Sequence, residues 1–190
     1  MKKKFFYSVL PLSLVFALMV LSCGNEQNTD SKDIAEDVNE QRFEDTHMKD
    51  DAQFAVDVAN EEIGKLNVSN VALKQASSPQ VKQIAQDILN RHNVILEELK
   101  SIVSGKGIAL PAEPDDDNRE KLNKLSSKSG MDFDKAYLDY LIDNHKDEIE
   151  AFEEQAAQGR DSSLRVWASE KLSLLREQLQ LAELTRETIR

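Results

Sequence analysis

Apolar residues recur three and four positions apart in four long stretches of the chain, and no stretch alternates with the period of a strand. Phe54, Ala55, Val58, Ala59, Ile63, Leu66, Ala72 and Leu73 predict a first helix over about 50–76, with Glu62 on the same stripe. Val81, Ile84, Ala85, Ile88, His92, Ile95, Leu99 and Val103 predict a second over 79–104, with Ser78 as its N-cap and Pro79 at its first position. Phe133, Ala136, Tyr137, Tyr140, Leu141, His145, Ile149 and Phe152 predict a third over 132–158, stopped by Gly159. Leu164, Ala168, Leu172, Leu175, Leu179 and Ala182 predict a fourth over 163–187, with Trp167 beside the stripe. Between the second and third lie an apolar loop, Ile108–Pro111, and a short helix over 119–127 that starts at the Asp115–Asp117 run and docks through Leu122 and Leu125. The expected fold is all-α: an up-down four-helix bundle with a short extra helix between helices two and three.

The N-terminal pattern is of another kind. Lys2, Lys3 and Lys4 precede an apolar run, Phe5–Leu21, that ends at Ser22 and the only cysteine, Cys23. This has the layout of a bacterial lipoprotein signal: 1–22 would be removed, and Cys23 would carry the lipid. Residues 24–48 are rich in Asp and Glu, and their few apolar positions (Ile34, Val38, Phe43) do not suffice for a core. They read as an acidic tether, disordered or loosely helical, so that the domains fall at 1–22, 23–48 and 49–190.

Charge narrows the partners. Without Lys2, Lys3 and Lys4 the 24 basic residues become 21 against 35 acidic ones, a net of −14. Such a chain is unsuited to nucleic acid and to electrostatic docking on anionic lipid, so membrane attachment would rest on the lipid alone. Gly24, not Asp, follows the cysteine. This favours the outer membrane, with the domain facing the periplasm and an envelope protein as its possible partner.

Ser77–Lys82, the helix up to His92, Gly107–Pro111, and above all Phe133–Leu138 continuing to His145-Lys146 and Phe152 carry a family resemblance. Over about 52–183 the chain resembles the ferritin-like exported bacterial proteins of unknown function that are often described as outer-membrane proteins. The resemblance implies a ferritin-like bundle and no established common activity. Members usually carry Asp-His where this chain has Arg91-His92 and Asn144-His145. They often have Glu at the place of Lys65 and His at the place of Gln178.

Ferritin-like di-metal sites need a Glu three residues before each bundle histidine. His92 is preceded there by Leu89 and His145 by Ile142. A looser site remains conceivable from His92, His145, Glu148 and Glu62, two imidazoles and two carboxylates suited to zinc or iron. Against it stands the reading of both histidines as hydrogen-bonded core residues paired with Tyr137, Tyr140 or Glu62, which requires no cofactor and makes the fold acid-sensitive. No nucleophile elbow and no phosphate-binding glycine loop is present. The sequence therefore points to a non-enzymatic envelope module, with a degenerate ferritin-like metal protein or oxidoreductase as the alternative. A third possibility is a binder of small apolar ligands in a cavity lined by Tyr137, Tyr140 and Phe152.

Overall fold

The computed structural model describes residues 30–44 and 46–189; the signal-like segment and Cys23 lie outside the described residues. Six helices follow in order: α1 (Ser31–Phe43), α2 (Lys49–Gln75), α3 (Pro79–Val103), α4 (Asp116–Ser126), α5 (Gly130–Gln158) and α6 (Ser162–Thr188). The described residues contain no strand beyond one isolated bridge, Ala76 to Gly130. The four long helices match the four apolar stripes to within a residue or two, and α4 is the expected short helix.

The long helices pair as two hairpins, α2 with α3 and α5 with α6, and α2 joins them by packing on α5. Each hairpin turn is capped by an aspartate from the other hairpin. Asp134 of α5 is fully buried and accepts from the backbone N–H of Ser77 (2.9 Å) and Ser78 (2.8 Å) and from the Ser77 hydroxyl (2.5 Å). Ser78 does sit at the N-cap of α3 with Pro79 after it, but its own side chain makes no capping bond. The capping acceptor comes across the bundle. Asp51 of α2 acts in the same way on the other turn, accepting from the backbone N–H of Asp161 at 2.7 Å and Arg160 at 3.1 Å and from the Gln155 amide at 2.7 Å. A buried carboxylate is tolerated when several donors replace its water, and these two lock the turns to the opposite hairpin.

The tether reading needs correction over 31–43. This stretch is a helix that lies on α2. Asp30 caps it, accepting from the N–H of Lys32 and Asp33 at 2.9 and 3.0 Å. Its buried face is Ala35, Asn39 and Phe43, four residues apart, while Ile34 and Val38 face outward. One polar side chain makes that face work. Asn39 donates to the Ala109 carbonyl (2.9 Å) and accepts from its N–H (2.8 Å), clasping the loop after α3. That loop turns at Gly107, whose φ of +75° suits glycine, and tucks Ile108 into the core beside Phe43. Docking here depends on a backbone-matching amide, so a count of apolar residues misses it.

Two apolar clusters fill the interior. One holds Ala55, Leu66, Leu99, Phe152, Leu164 and Trp167. The other holds Val68, Ile84, Ile88, Phe133, Tyr137 and Leu141. Along every long helix the change from one cluster to the other falls at the same level, and the buried polar residues Glu62, Lys65, His92, His145, Glu148 and Gln178 lie there.

Candidate functional site

The polar layer is built by helical spacing. Glu62 and Lys65 stand three apart on α2, and His145 and Glu148 three apart on α5; each pair shares a face. His92 on α3 and Gln178 on α6 complete the ring. Glu62, Lys65, His92 and His145 are fully buried, and Glu148 is 7% exposed.

Lys65 occupies the middle. Its Nζ donates to Glu148 Oε2 at 2.5 Å and to Glu62 Oε1 at 3.2 Å, and lies 3.2 Å from His92 Nδ1. Burial opposes its charge, but Glu148 and Glu62 outweigh that and hold the ammonium above its ordinary pKa. Burial pushes the Glu148 carboxyl up; Lys65 pulls it back and Glu62 adds to the rise. Burial, then the Lys65 charge, lowers His92 to about 3 and His145 to about 4, so both imidazoles are neutral at physiological pH.

The tautomer of His145 follows from its partner. His145 Nδ1 is 2.7 Å from the Leu141 carbonyl, which only accepts, so the proton is on Nδ1 and Nε2 bears the lone pair. His92 Nδ1 meets an acceptor and a donor together, the Glu62 carboxylate at 2.8 Å and the Lys65 ammonium at 3.2 Å. The Gln178 amide lies between the two, 2.9 Å from His92 Nε2 and 3.4 Å from His145 Nε2. Its Oε1 is the end that faces the rings, while its Nε2 lies 3.4 Å from Asp87 Oδ2 on the other side.

The expected metal ligands are only partly assembled. Ligand atoms of Glu62, His92 and Glu148 lie within 4.8 Å of one another. His145 does not join that set: its ring packs edge-on against His92 with centroids 5.5 Å apart, and its Nδ1 is taken by Leu141. The three that converge do so on Lys65. Zinc bonds nitrogen and oxygen at about 2.0–2.2 Å, which requires the space that the ammonium fills. With Lys65 in place the residues do not fit a metal. The layer carries its own cation.

Sequence reasoning found Glu62, His92, His145 and Glu148. It noted Lys65 and Gln178 only as departures from the family pattern, although a Lys three residues after Glu62, on the same helix face, was the available signal. Of the suggested histidine partners, Glu62 is correct for His92; Tyr137 instead bonds Ser69 at 2.9 Å. The cavity imagined between Tyr137, Tyr140 and Phe152 is also corrected: Tyr137 and Phe152 are sealed in separate apolar clusters, and only Tyr140 reaches a cleft. No described helix is long and apolar enough to cross a membrane.

Comparison with known proteins yields architecture without activity. No curated protein matches the chain. A crystal structure from Streptomyces coelicolor, described as that of a secreted DUF305 protein, superposes with a TM-score of 0.59 at 13% identity, covering 68% of this chain and 85% of that one. At that identity the likeness concerns the fold alone. The domain of unknown function DUF4142 matches residues 37–184, from within α1 to near the end of α6, and the chain belongs to that family.

Proposed function

We propose that this is a lipid-anchored helical-bundle protein of the bacterial cell envelope, held at the outer membrane through Cys23 and facing the periplasm, where it serves as a binding or structural module and not as a catalyst. The observation that carries the non-catalytic part is Lys65: among the described residues, the buried cluster of metal-ligating residue types holds an internal ammonium bonded to both carboxylates. The basic, apolar and Ser-Cys segments of 1–23 and the acidic surface support the envelope address. The reading expects no cofactor, no nucleic acid, and an envelope protein or small molecule as partner.

A second reading retains a ferritin-like metal protein or oxidoreductase, using Glu62, His92 and Glu148 with His145 nearby and zinc or iron as the metal. The convergence of three ligand atoms favours it; it requires Lys65 to lose its proton and move aside. Two measurements on the full chain decide. Labelling with an alkynyl fatty acid in a bacterial host should mark the wild type and not Cys23→Ser, with the label in the outer-membrane fraction. Elemental analysis of the purified protein should find less than about 0.1 zinc or iron per chain, where an intact structural zinc site would hold about one. An unlabelled wild type refutes the anchor, and one metal per chain lost in His92→Ala restores the second reading.

A further inference from the structure

A cleft of about 520 Å³ opens between α2 and α5, beside the mouth of the polar layer. Three buried polar atoms without a hydrogen-bond partner belong to residues that line it: Tyr140 Oη, Asn144 Oδ1 and Glu148 Oε1. Asn144 is 8% exposed and Glu148 7%. Each has its other polar atom tied down. Asn144 Nδ2 donates to Glu61 Oε2 at 2.7 Å, and Glu148 Oε2 accepts from Lys65 at 2.5 Å. The free acceptors are thereby fixed in place. Buried polar groups normally find partners, so a row of three in one cleft calls for a ligand.

The row has a definite form. Positions 140, 144 and 148 are four apart on one face of α5, so the acceptors run for about 12 Å along the helix axis. Acidic rails flank them: Asp143 and Asp147 on α5, and on α2 Asp57, paired with Lys32 at 2.9 Å, and Glu61, which accepts from Asn118 and Asn144. Among the described residues no ion pair engages Asp143 or Asp147, and the only cation lining the cleft is Lys121, exposed at its edge. Phe54 and Val58 supply apolar wall between the charges.

We propose that this cleft binds a linear aliphatic polyamine, its ammonium groups on the Tyr140–Asn144–Glu148 row and the acidic rails, and its methylenes against Phe54 and Val58. The chemistry excludes the simpler occupants. A bare divalent cation takes six or more oxygens around one point, whereas these acceptors are strung out in a line with apolar wall between them. An anion would meet carboxylates on both rails. A purely apolar ligand would leave the three acceptors unpartnered. Burial keeps the Tyr140 hydroxyl protonated well beyond its usual range, so it serves as a neutral acceptor and donor. Pockets of this size suit small organic ligands, and Lys121 already places an alkylammonium at the rim.

The inference deepens the binding-module reading and rests on it. The test is calorimetric titration of the full chain in detergent with spermidine, alongside cadaverine, the neutral isostere 1,5-pentanediol, and Mg²⁺. Spermidine should bind one-to-one, with pentanediol at least about 100-fold weaker, as the loss of charged hydrogen bonds dictates. Asp143→Asn/Asp147→Asn, on the exposed rail, should weaken spermidine about tenfold without altering the melting curve, and Asn144→Leu by a similar factor. Lys121→Ala should tighten it. Absence of saturation at about 10 mM, the millimolar edge of specific affinity, overturns the proposal. So does equal binding of pentanediol, indifference to the rail variant, or Mg²⁺ binding tighter than spermidine. A chain that binds no polyamine yet is lipidated and metal-free refutes this inference alone and leaves the envelope-module reading in place.

Discussion

Lys65→Met tests the central feature of the core. Methionine keeps the long unbranched chain and deletes the charge, so packing changes little while Glu62 and Glu148 lose their shared donor. Lys65 is wholly buried, and its bonds to the two carboxylates are 3.2 and 2.5 Å. Breaking a buried ion pair from one side costs about 3–5 kcal/mol, because a charge is left uncompensated. In a domain of this size 1 kcal/mol moves Tm by about 2–4 °C, so the midpoint should fall by roughly 6–20 °C.

The pH dependence separates this cause from poor packing. Without Lys65 the Glu148 carboxyl, already raised by burial, rises further above its unfolded pKa of about 4.3. A group whose folded pKa is raised takes up its proton first in the folded state, so falling pH restores stability through that window. The gap between variant and wild type should therefore narrow from pH 7.5 to 5.5, read by circular dichroism melts. Lys65→Met/Glu62→Gln/Glu148→Gln, which removes all three charges, should recover most of the loss at every pH. A Lys65→Met midpoint within about 2 °C of wild type, well below the shift for one lost buried pair, would refute the reasoning, as would a gap that widens in acid.

Three further outcomes follow from the same geometry. His92 and His145 are held neutral with pKa values of about 3 and about 4; the unfolded chain protonates first below about 6.5, so stability is lost as pH falls through 6.5 toward 4. Two such groups remove about 4 kcal/mol between pH 7 and 5, partly offset at the acid end by the raised Glu148 carboxyl; melts should show this fall, and His92→Gln/His145→Gln should flatten it. Asp134→Ala leaves the N–H groups of Ser77 and Ser78 without their acceptor and should cost about 2–3 kcal/mol in urea unfolding, with Asp134→Asn keeping part of it; a loss under about 0.5 kcal/mol, the scale of an ordinary surface change, would show the cross-hairpin cap to be idle. Asn39→Ala removes both bonds to Ala109 and should raise hydrogen exchange in α1 and the 105–114 loop at least about tenfold while the four long helices keep their protection.

The long helices were legible because each buries one stripe, and a stripe of period 3.6 survives in the sequence whatever it packs against. The capping of α3 was only half legible: Ser78-Pro79 marks the boundary correctly, but the acceptor, Asp134, lies 56 residues away and no local rule finds it. α1 was missed for a related reason. Its buried face contains Asn39, which docks by matching a peptide group and not by hydrophobicity, while the apolar Ile34 and Val38 point to solvent. At the candidate site the imidazoles and carboxylates were identified by type and face, yet the decisive residue was the lysine among them. Lysine on a core stripe is ordinarily discounted, because its value depends on two carboxylates from different helices reaching it at once.

That lysine also bears on how the charge of the layer is balanced. Three helices point acid or imidazole at one position, and four helices surround it. An arrangement of this kind needs a cation to be stable, and it can take one from solvent or from its own chain. Lys65 supplies one covalently, bonded to both carboxylates. Lys65→Ala should reverse the dependence. Glu62, His92 and Glu148, with ligand atoms within 4.8 Å, would then face a vacancy where Nζ stood. Zn²⁺ at 100 times its dissociation constant would return about 2.7 kcal/mol to the folded state, a midpoint rise of roughly 5–11 °C in the variant and none in the wild type. A variant indifferent to Zn²⁺ would mean that the three groups relax apart once the ammonium is gone, and that Lys65 gathers the ligands as well as neutralising them.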